Sequence, residues 1–540
     1  MSGYRKAYCR IGGWTFLAIL VFINSTTLLS VGQIAITTYH YDNNRTGWNQ
    51  SETVLTPANV GSPSFGLLQT VALDDQVDAQ PLVVPGVQIT AGKFLGLHDV
   101  VYVATENNTV YAIDAHSGAV LLNPNFGTPV SNPLGCTNNG PNVGITSTPV
   151  IDPDSQTLYV MVYAQGSTGP EYRLHALDLG SLKDKVTPRL VNASHMLTDG
   201  TPFNFNATYQ RQRPALLFAN GSIYAGFGSF CDLAPNLSRG WVLGWTAASL
   251  APFPSNELIN QQAGTPSSFF LSSVWMAGYG PATDDAGNIL FVTGNSDAFI
   301  NTYDGGVTNI QESVVKVSST LTTVLDLFTP KNVAALDAVD ADFGSGGVLV
   351  LPDQPGATPH LAVAAGKAGT MFLMNEDKLG GFFTNKNNVL ASYSVGKCWC
   401  GPSYFVDPSD GVARVVSSGG RQAKVWKLQT SPKVTLTQVT QSPALGGGQD
   451  PGFFTTISSN GTASPIIWAL SRPPNAGKSS PIYLFAFDPE SGGSTMTQLF
   501  KGNAGEWPNR GGDANLVPVV ANGQVFVASN QQLQIFGIKK

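Results

Sequence analysis

Charge is scarce in this chain. Asp, Glu, Lys and Arg make up 12% of its 540 residues, about half the share of roughly 25% usual for a soluble domain. The formal net charge of -6 leaves no basic footprint for nucleic acid and no acidic tail. There is no C-x-x-C-H for a covalent haem, no H-E-x-x-H, no G-x-S-x-G elbow and no phosphate-binding P-loop, which removes several enzyme classes at once. The six histidines are scattered with no metal-ligand spacing. Residues abundant here point one way: 58 Gly and 35 Pro, with many Ser, Thr and Asn, suit short strands joined by many turns.

The apolar run at residues 14–23 (WTFLAILVFI) follows Arg5, Lys6 and Arg10. It is short for a bilayer span and has the layout of a secretory signal peptide over residues 1–35. An uncleaved anchor is the alternative. Either way the chain is expected to be exported, secreted or periplasmic, with no membrane span after cleavage. Of five cysteines, Cys9 leaves with the signal, and Cys136, Cys231, Cys398 and Cys400 remain. An oxidising compartment favours disulfides. Of three connectivities, Cys136 with Cys231 and a tight Cys398–Cys400 ring are favoured, with a zinc site as the alternative.

Residues 36–62, including YHYDNNRTGWN, read as an extended lead-in packed across a face. From residue 63 to 540 a unit recurs: a Pro or Gly-Gly, an apolar run, an Asp/Asn/Gly turn and a second β-rich run. Instances start at Pro81, Pro149, Pro214, Pro281, Gly347, Pro402, Pro465 and Pro518. The spacings of about 53 to 68 residues exceed those of WD40 or kelch blades but keep the four-strand logic. In the first unit, residues 100–105, 109–114 and 119–122 read as three antiparallel strands, rich in β-branched and aromatic residues. The last unit supplies three strands and stops, while residues 64–74 (SFGLLQTVALD) form a strand with no partner. Pairing the two closes a ring. The expected fold is all-β: an eight-bladed β-propeller of four-stranded antiparallel blades, shut by its N- and C-terminal strands.

The blades carry A-x-D-x-x-x-G at Ala112, Asp114 and Gly118, and again at Ala486, Asp488 and Gly492, with a shortened version at His175-Ala-Leu-Asp178. With eight units, this resembles the pyrroloquinoline quinone (PQQ)-type, quinoprotein alcohol dehydrogenase-like propeller superfamily, in an exported bacterial subgroup of unsettled function. The resemblance covers about residues 37–540. In those dehydrogenases the signature ends in a Trp; here Leu122 and Met496 stand in its place. The family's adjacent-cysteine ring beside the cofactor becomes Cys398-Trp-Cys400, and no Glu/Asn/Asp calcium set aligns.

In a propeller, the segments just before each innermost strand ring one mouth of the channel. Asp342 and Asp78 are therefore candidate catalytic carboxylates, able to take a proton from a substrate hydroxyl. Arg213, Trp275, Trp399 and Arg510 are candidate cofactor-binding residues, since Arg grips carboxylates and Trp stacks on planar rings. These residues equally serve to satisfy backbone groups in a crowded channel. Asp337, Asp340 and Asp342 offer hard oxygens of the kind Ca²⁺ takes, or form a solvated loop; no metal site is assigned. Two functions follow. One is a monomeric binding or scaffold protein that meets a small molecule or protein at the mouth, as in a smaller PQQ-like propeller, the outer-membrane assembly lipoprotein. The other is a PQQ- and Ca²⁺-dependent dehydrogenase for alcohols or sugars.

Overall fold

The computed structural model describes residues 32–508 and 515–539, except 137, 139, 265–268, 297–302, 447–450 and 474–478. Residues 1–31 of the expected signal peptide (1–35) and Arg510 therefore lie outside the described residues. From Ile34 onward the chain forms one compact unit.

Eight antiparallel sheets stand around a common axis as an eight-bladed propeller. Their innermost strands begin at Leu82, Val150, Leu217, Ala282, Val348, Ser403, Thr455 and Val519, defining blades 1 to 8. The second strand of each blade has neighbours on both faces. It therefore reads as a nearly unbroken apolar run rather than an alternating one. Thr157–Gln165 (TLYVMVYAQ), Ile289–Val292 and Leu361–Ala365 are buried on both faces over most of their length. Outer strands such as Thr435–Gln441 are largely exposed, with Leu436 and Thr440 turned inward. The first meander forms as the sequence predicts: Gly96–Ala104, Val110–Asp114 and Val120–Leu122 pair in order.

The ring closes as expected. Phe65–Gln76 pairs antiparallel with the second half of Gln524–Ile538, from Phe65↔Ile538 to Val71↔Leu533. The first half of that strand pairs with Val519–Ala521. Apolar burial fixes the seam on both sides. Val71, Leu73, Leu533 and Ile535 pack on Val101, Val103 and Ile113 of blade 1. Phe65 meets Trp468 and Phe500 of blade 7. Leu122 and Met496, at the positions of the family's docking Trp, are both buried in clusters that join neighbouring blades.

One repeat start needs correction. Pro465 lies in the second strand of blade 7, Ala463–Leu470; the innermost strand is Thr455–Asn460. That strand reads TTISSN and lacks the apolar look of its equivalents. Its polar side chains are used within the wheel instead. Thr456 donates to the Pro518 carbonyl (2.8 Å), and Ser458 and Ser459 accept from the indoles of Trp468 and Trp48 (2.8 and 2.7 Å).

The lead-in does not lie across a face. It threads the axis and bonds to the innermost strand of every blade in turn. Ile36 pairs with Val83, and the Thr37 carbonyl accepts from Ile151 N–H (2.8 Å). The Asn43 side chain donates to Phe218 O (2.9 Å), and the Asn43 carbonyl accepts from Thr283 (2.9 Å). Carbonyls of Asn44, Thr46 and Gly47 accept from Val350 (3.0 Å), Tyr404 (2.8 Å) and Ile457 (2.7 Å). Asn49 donates to Val520 O in blade 8 (2.9 Å). The physical reason is in the channel itself: eight innermost strands present unpaired backbone groups to the axis, and these must be satisfied.

Two fully buried side chains fold this segment. Arg45 donates from Nε to Pro281 O (2.8 Å) and from Nη1 to Thr38 Oγ1 and Tyr39 O (both 2.7 Å). Burial lowers its pKa to about 10. The His40 ring lies between the Arg45 and Thr455 carbonyls, with Nδ1 and Nε2 at 2.8 and 2.9 Å, and the neutral ring donates to one of them. Gly47 sits at φ +65 against the His40 ring, where an added Cβ would lie 2.6 Å away, so only glycine fits. Burial pulls the His40 pKa from 6.5 down to about 4. The folded chain thus resists a proton that the unfolded chain takes up between pH 6.5 and 4, and this group's contribution declines as pH falls through that window. The stability advantage of wild type over His40→Gln is expected to shrink by at most about 3 kcal/mol from pH 7 to 4, measured by urea unfolding at both pH values.

Candidate functional site at the channel mouth

The axial segment blocks the channel and leaves a cavity of about 320 Å³ above it, at the small end of the roughly 300–1,000 Å³ usual for ligand sites. Two kinds of loop build it. Segments that precede innermost strands bring Arg211, Arg213, Trp275, Asp340, Asp342, Trp399 and Asn515; turns between second and third strands bring Asp232 and Lys367. Both disulfides expected from the sequence are present, Cys136–Cys231 and Cys398–Cys400. The first ties the approach to blade 2 to the Asp232 turn. The second brackets Trp399, whose carbonyl accepts from Arg472 Nη2 (2.7 Å).

Lys367 is the centre of charge. Its Nζ stands 3.0 Å from Asp340 and 3.1 Å from Asp342, and 5.4 and 5.5 Å from the ring centres of Trp275 and Trp399. Two carboxylates and two indole faces hold one ammonium, and the carboxylates raise its pKa. Burial pushes the Asp342 carboxyl up, with Lys367 pulling against it. Asp342 also accepts the Asn295 N–H (3.1 Å). Across the mouth, burial raises Asp232 to about 6, with the charge of Asp342 adding to it.

Arg213 reaches over the axial segment. Its Nη1 donates to Thr146 O (3.3 Å), and Nη2 lies 3.6 Å from Asp78. Gly278 permits this approach at φ +88; a Cβ there would stand 2.4 Å from the guanidinium. Asn515 is 4% exposed, and among the described residues neither end of its side-chain amide has a hydrogen-bond partner. Such a group is costly unless something else meets it.

Of the candidates named from the sequence, Asp342, Arg213, Trp275 and Trp399 converge on this cavity. Asp78 does not line it: its side chain is fully covered behind Arg213 and Gln76, which donates to it at 2.7 Å. Lys367 and Asp232 lie outside the segments before each repeat; Asn515 lies in one, just before Pro518, but is not among the candidates read from it. For Lys367 and Asp232 the reason is topological, since the turns after second strands open on the same mouth. A glycine-flanked lysine between two β runs (AAGKAG) is the available signal.

The residues do not fit calcium. A divalent cation would need the space between Asp340 and Asp342, where Lys367 already supplies a positive charge. Asp337 is engaged elsewhere, accepting from Ser296 N–H (2.9 Å) and Gln311 Nε2 (2.5 Å). Among the described residues no group of three or more His, Cys, Asp or Glu could hold a metal ion.

No family model and no curated protein matches this chain. Solved structures do match in fold. A quinohemoprotein alcohol dehydrogenase from Pseudomonas putida HK5 aligns over 93% of this chain and 80% of its own, at 14% identity and TM-score 0.57. A europium-containing methanol dehydrogenase aligns over 93% and 98%, at 10% identity and TM-score 0.57. BamB from Moraxella catarrhalis covers 88% of this chain and 98% of its own, at 11% identity and TM-score 0.44. At these identities the likeness to the two dehydrogenases establishes the PQQ-like propeller fold alone.

Replacing Lys367 with Met leaves Asp342 buried without its counter-charge. We expect a loss of about 3 kcal/mol in denaturant unfolding, with part of it recovered by adding Asp342→Asn. A neutral Lys367→Met would contradict the assigned pairing.

Proposed function

We propose that this protein is an exported binding propeller that takes a small organic carboxylate at its channel mouth. The observation carrying this reading is Asn515, a buried amide lining the cavity with its donor and its acceptor both unmet among the described residues. Around it the cavity offers the guanidinium groups of Arg211 and Arg213, suited to a carboxylate. The indoles of Trp275 and Trp399 line its wall and suit a ring or planar body. Export is supported by the basic residues Arg5, Lys6 and Arg10 before the apolar run at 14–23, and by the two disulfides.

The PQQ- and Ca²⁺-dependent dehydrogenase reading shares the fold but lacks support at the cation position, which Lys367 fills. With the axis blocked, ligand enters and leaves by the same side, as in a receptor pocket.

The test is a thermal-shift panel of organic carboxylates, PQQ among them, with and without Ca²⁺. At least one carboxylate is expected to raise the melting temperature, unaffected by chelator. Asn515→Leu is expected to fold and to lose at least tenfold in affinity, about 1.4 kcal/mol. A shift with PQQ that requires Ca²⁺, with dye reduction on an alcohol or sugar, would replace this reading by the dehydrogenase. Silence across the whole panel would reject small-ligand binding at the mouth.

A further inference from the structure

A second cleft lies on the flank of the wheel, away from the mouth. It has a volume of about 660 Å³, larger than the mouth cavity. One wall is the outer strand of blade 3, Glu257–Leu258. Another is the turn before the outer strand of blade 4, with Leu321 and Val324. A hairpin that leaves the ring after blade 2, Ser194–Met196 with Pro202–Asn204, supplies His195 and Met196.

Glu257 lines this cleft and is 7% exposed. Among the described residues its carboxyl has no hydrogen-bond partner and no cation. Leu258 beside it faces the other way, into the blade 2–blade 3 core. His195 is held at the rim by Asn256, Nδ1 to Oδ1 at 3.0 Å. The elements packed around the carboxyl carry little other charge. The paired strand Trp241–Thr246 (WVLGWT) contains none, residues 254–256 are Pro, Ser and Asn, and residues 321–324 are Leu, Thr, Thr and Val. His195 is thus the only other titratable group among the lining residues.

Glu257 is largely covered while its carboxyl oxygens still reach the cleft, so the carboxylate is partly desolvated with no counter-charge, which is unfavourable. Here it opens on a cleft whose walls include Met196, Pro254, Leu321 and Val324. We propose that this cleft binds a primary ammonium or guanidinium group on an apolar stem, with Glu257 as its counter-charge. The stem would lie along the apolar wall, as lysine and arginine methylenes do on protein surfaces, and the charged head would reach the carboxylate. That chemistry is shared by free alkylamines and by the lysine or arginine side chains of a partner peptide.

Burial alone raises the Glu257 pKa to about 7, as expected where nothing positive faces it. A carboxyl held above its ordinary value weakens the fold as pH rises from about 4.5 to 7.

Isothermal titration of the full chain at pH 8 tests the site with n-butylammonium, Nα-acetyl-lysine methylamide and the neutral Nα-acetyl-norleucine methylamide. Both cations are expected to bind saturably, the neutral analogue at least tenfold more weakly, and Glu257→Gln at least tenfold more weakly for both cations. Tighter binding of the lysine probe than of n-butylammonium assigns the site to a peptide side chain; equal binding assigns it to free amines. Unligated Glu257→Gln is also expected to melt above wild type at pH 8 and with it below pH 4.5. Equal affinity of Glu257→Gln and wild type for the cations, no saturable heat with either, or a Glu257→Gln that melts below wild type at pH 8 would overturn the proposal.

Discussion

The structure depends on a single strand of chain threaded through a ring of eight. Each blade offers the axis an innermost strand with one edge unpaired, and such edges are liabilities if left open. A wide propeller cannot cover eight of them with side chains alone. Here the segment around YHYDNNRTGWN bonds to each in turn, from Val83 to Val520. Arg45 and His40 make this possible: Arg45 donates to the Tyr39 and Pro281 carbonyls, and the His40 ring sits between the Arg45 and Thr455 carbonyls, tying the segment to itself and to blades 4 and 7. Tyr279 continues the same arrangement, its hydroxyl donating to Arg45 O at 2.8 Å and Pro402 O at 3.1 Å.

This arrangement shapes function. With the axis occupied the wheel is no longer a pore, and its mouth becomes a pocket with a floor. Tyr39, on the axial segment, is buried near Arg213, Arg45 and Arg472, and burial raises its hydroxyl pKa. The same economy of charge seen in the composition reappears at the mouth, where cations and carboxylates are matched almost one for one. Two further carboxyls are drawn into holding loops rather than facing ligand. Glu106 accepts the Gly144 N–H at 2.6 Å and Glu312 the Phe343 N–H at 2.5 Å, and burial pushes both well above the carboxylate range.

Much of the wheel is legible in the sequence because burial on both faces leaves a strong mark. Runs such as TLYVMVY and GNILFV can only be inner strands, and the unpaired SFGLLQTVALD matches a three-strand ending. What escapes is polar. Thr455–Asn460 hides because its side chains bond rather than pack, and the next apolar stretch, at Pro465, takes its place. The lead-in looks like a surface strap for the same reason: Asn, Asp, Arg and Thr ordinarily face water, and here they face carbonyls. At the mouth, Arg213, Trp275, Trp399 and Asp342 follow from blade phase alone. Lys367 does not, since no spacing rule links a turn after one strand to carboxylates before another.

The central claim is that the axial segment is hydrogen-bonded into the wheel rather than resting on it. Backbone amide hydrogen exchange at Ile151, Thr283, Val350, Tyr404 and Ile457 tests this most directly, because each donates to the axial segment and to no strand on that side. The account predicts that these five amides exchange as slowly as the inner-strand amides and only with global opening. Exchange at the rate of exposed turns, while the strands stay protected, would contradict it.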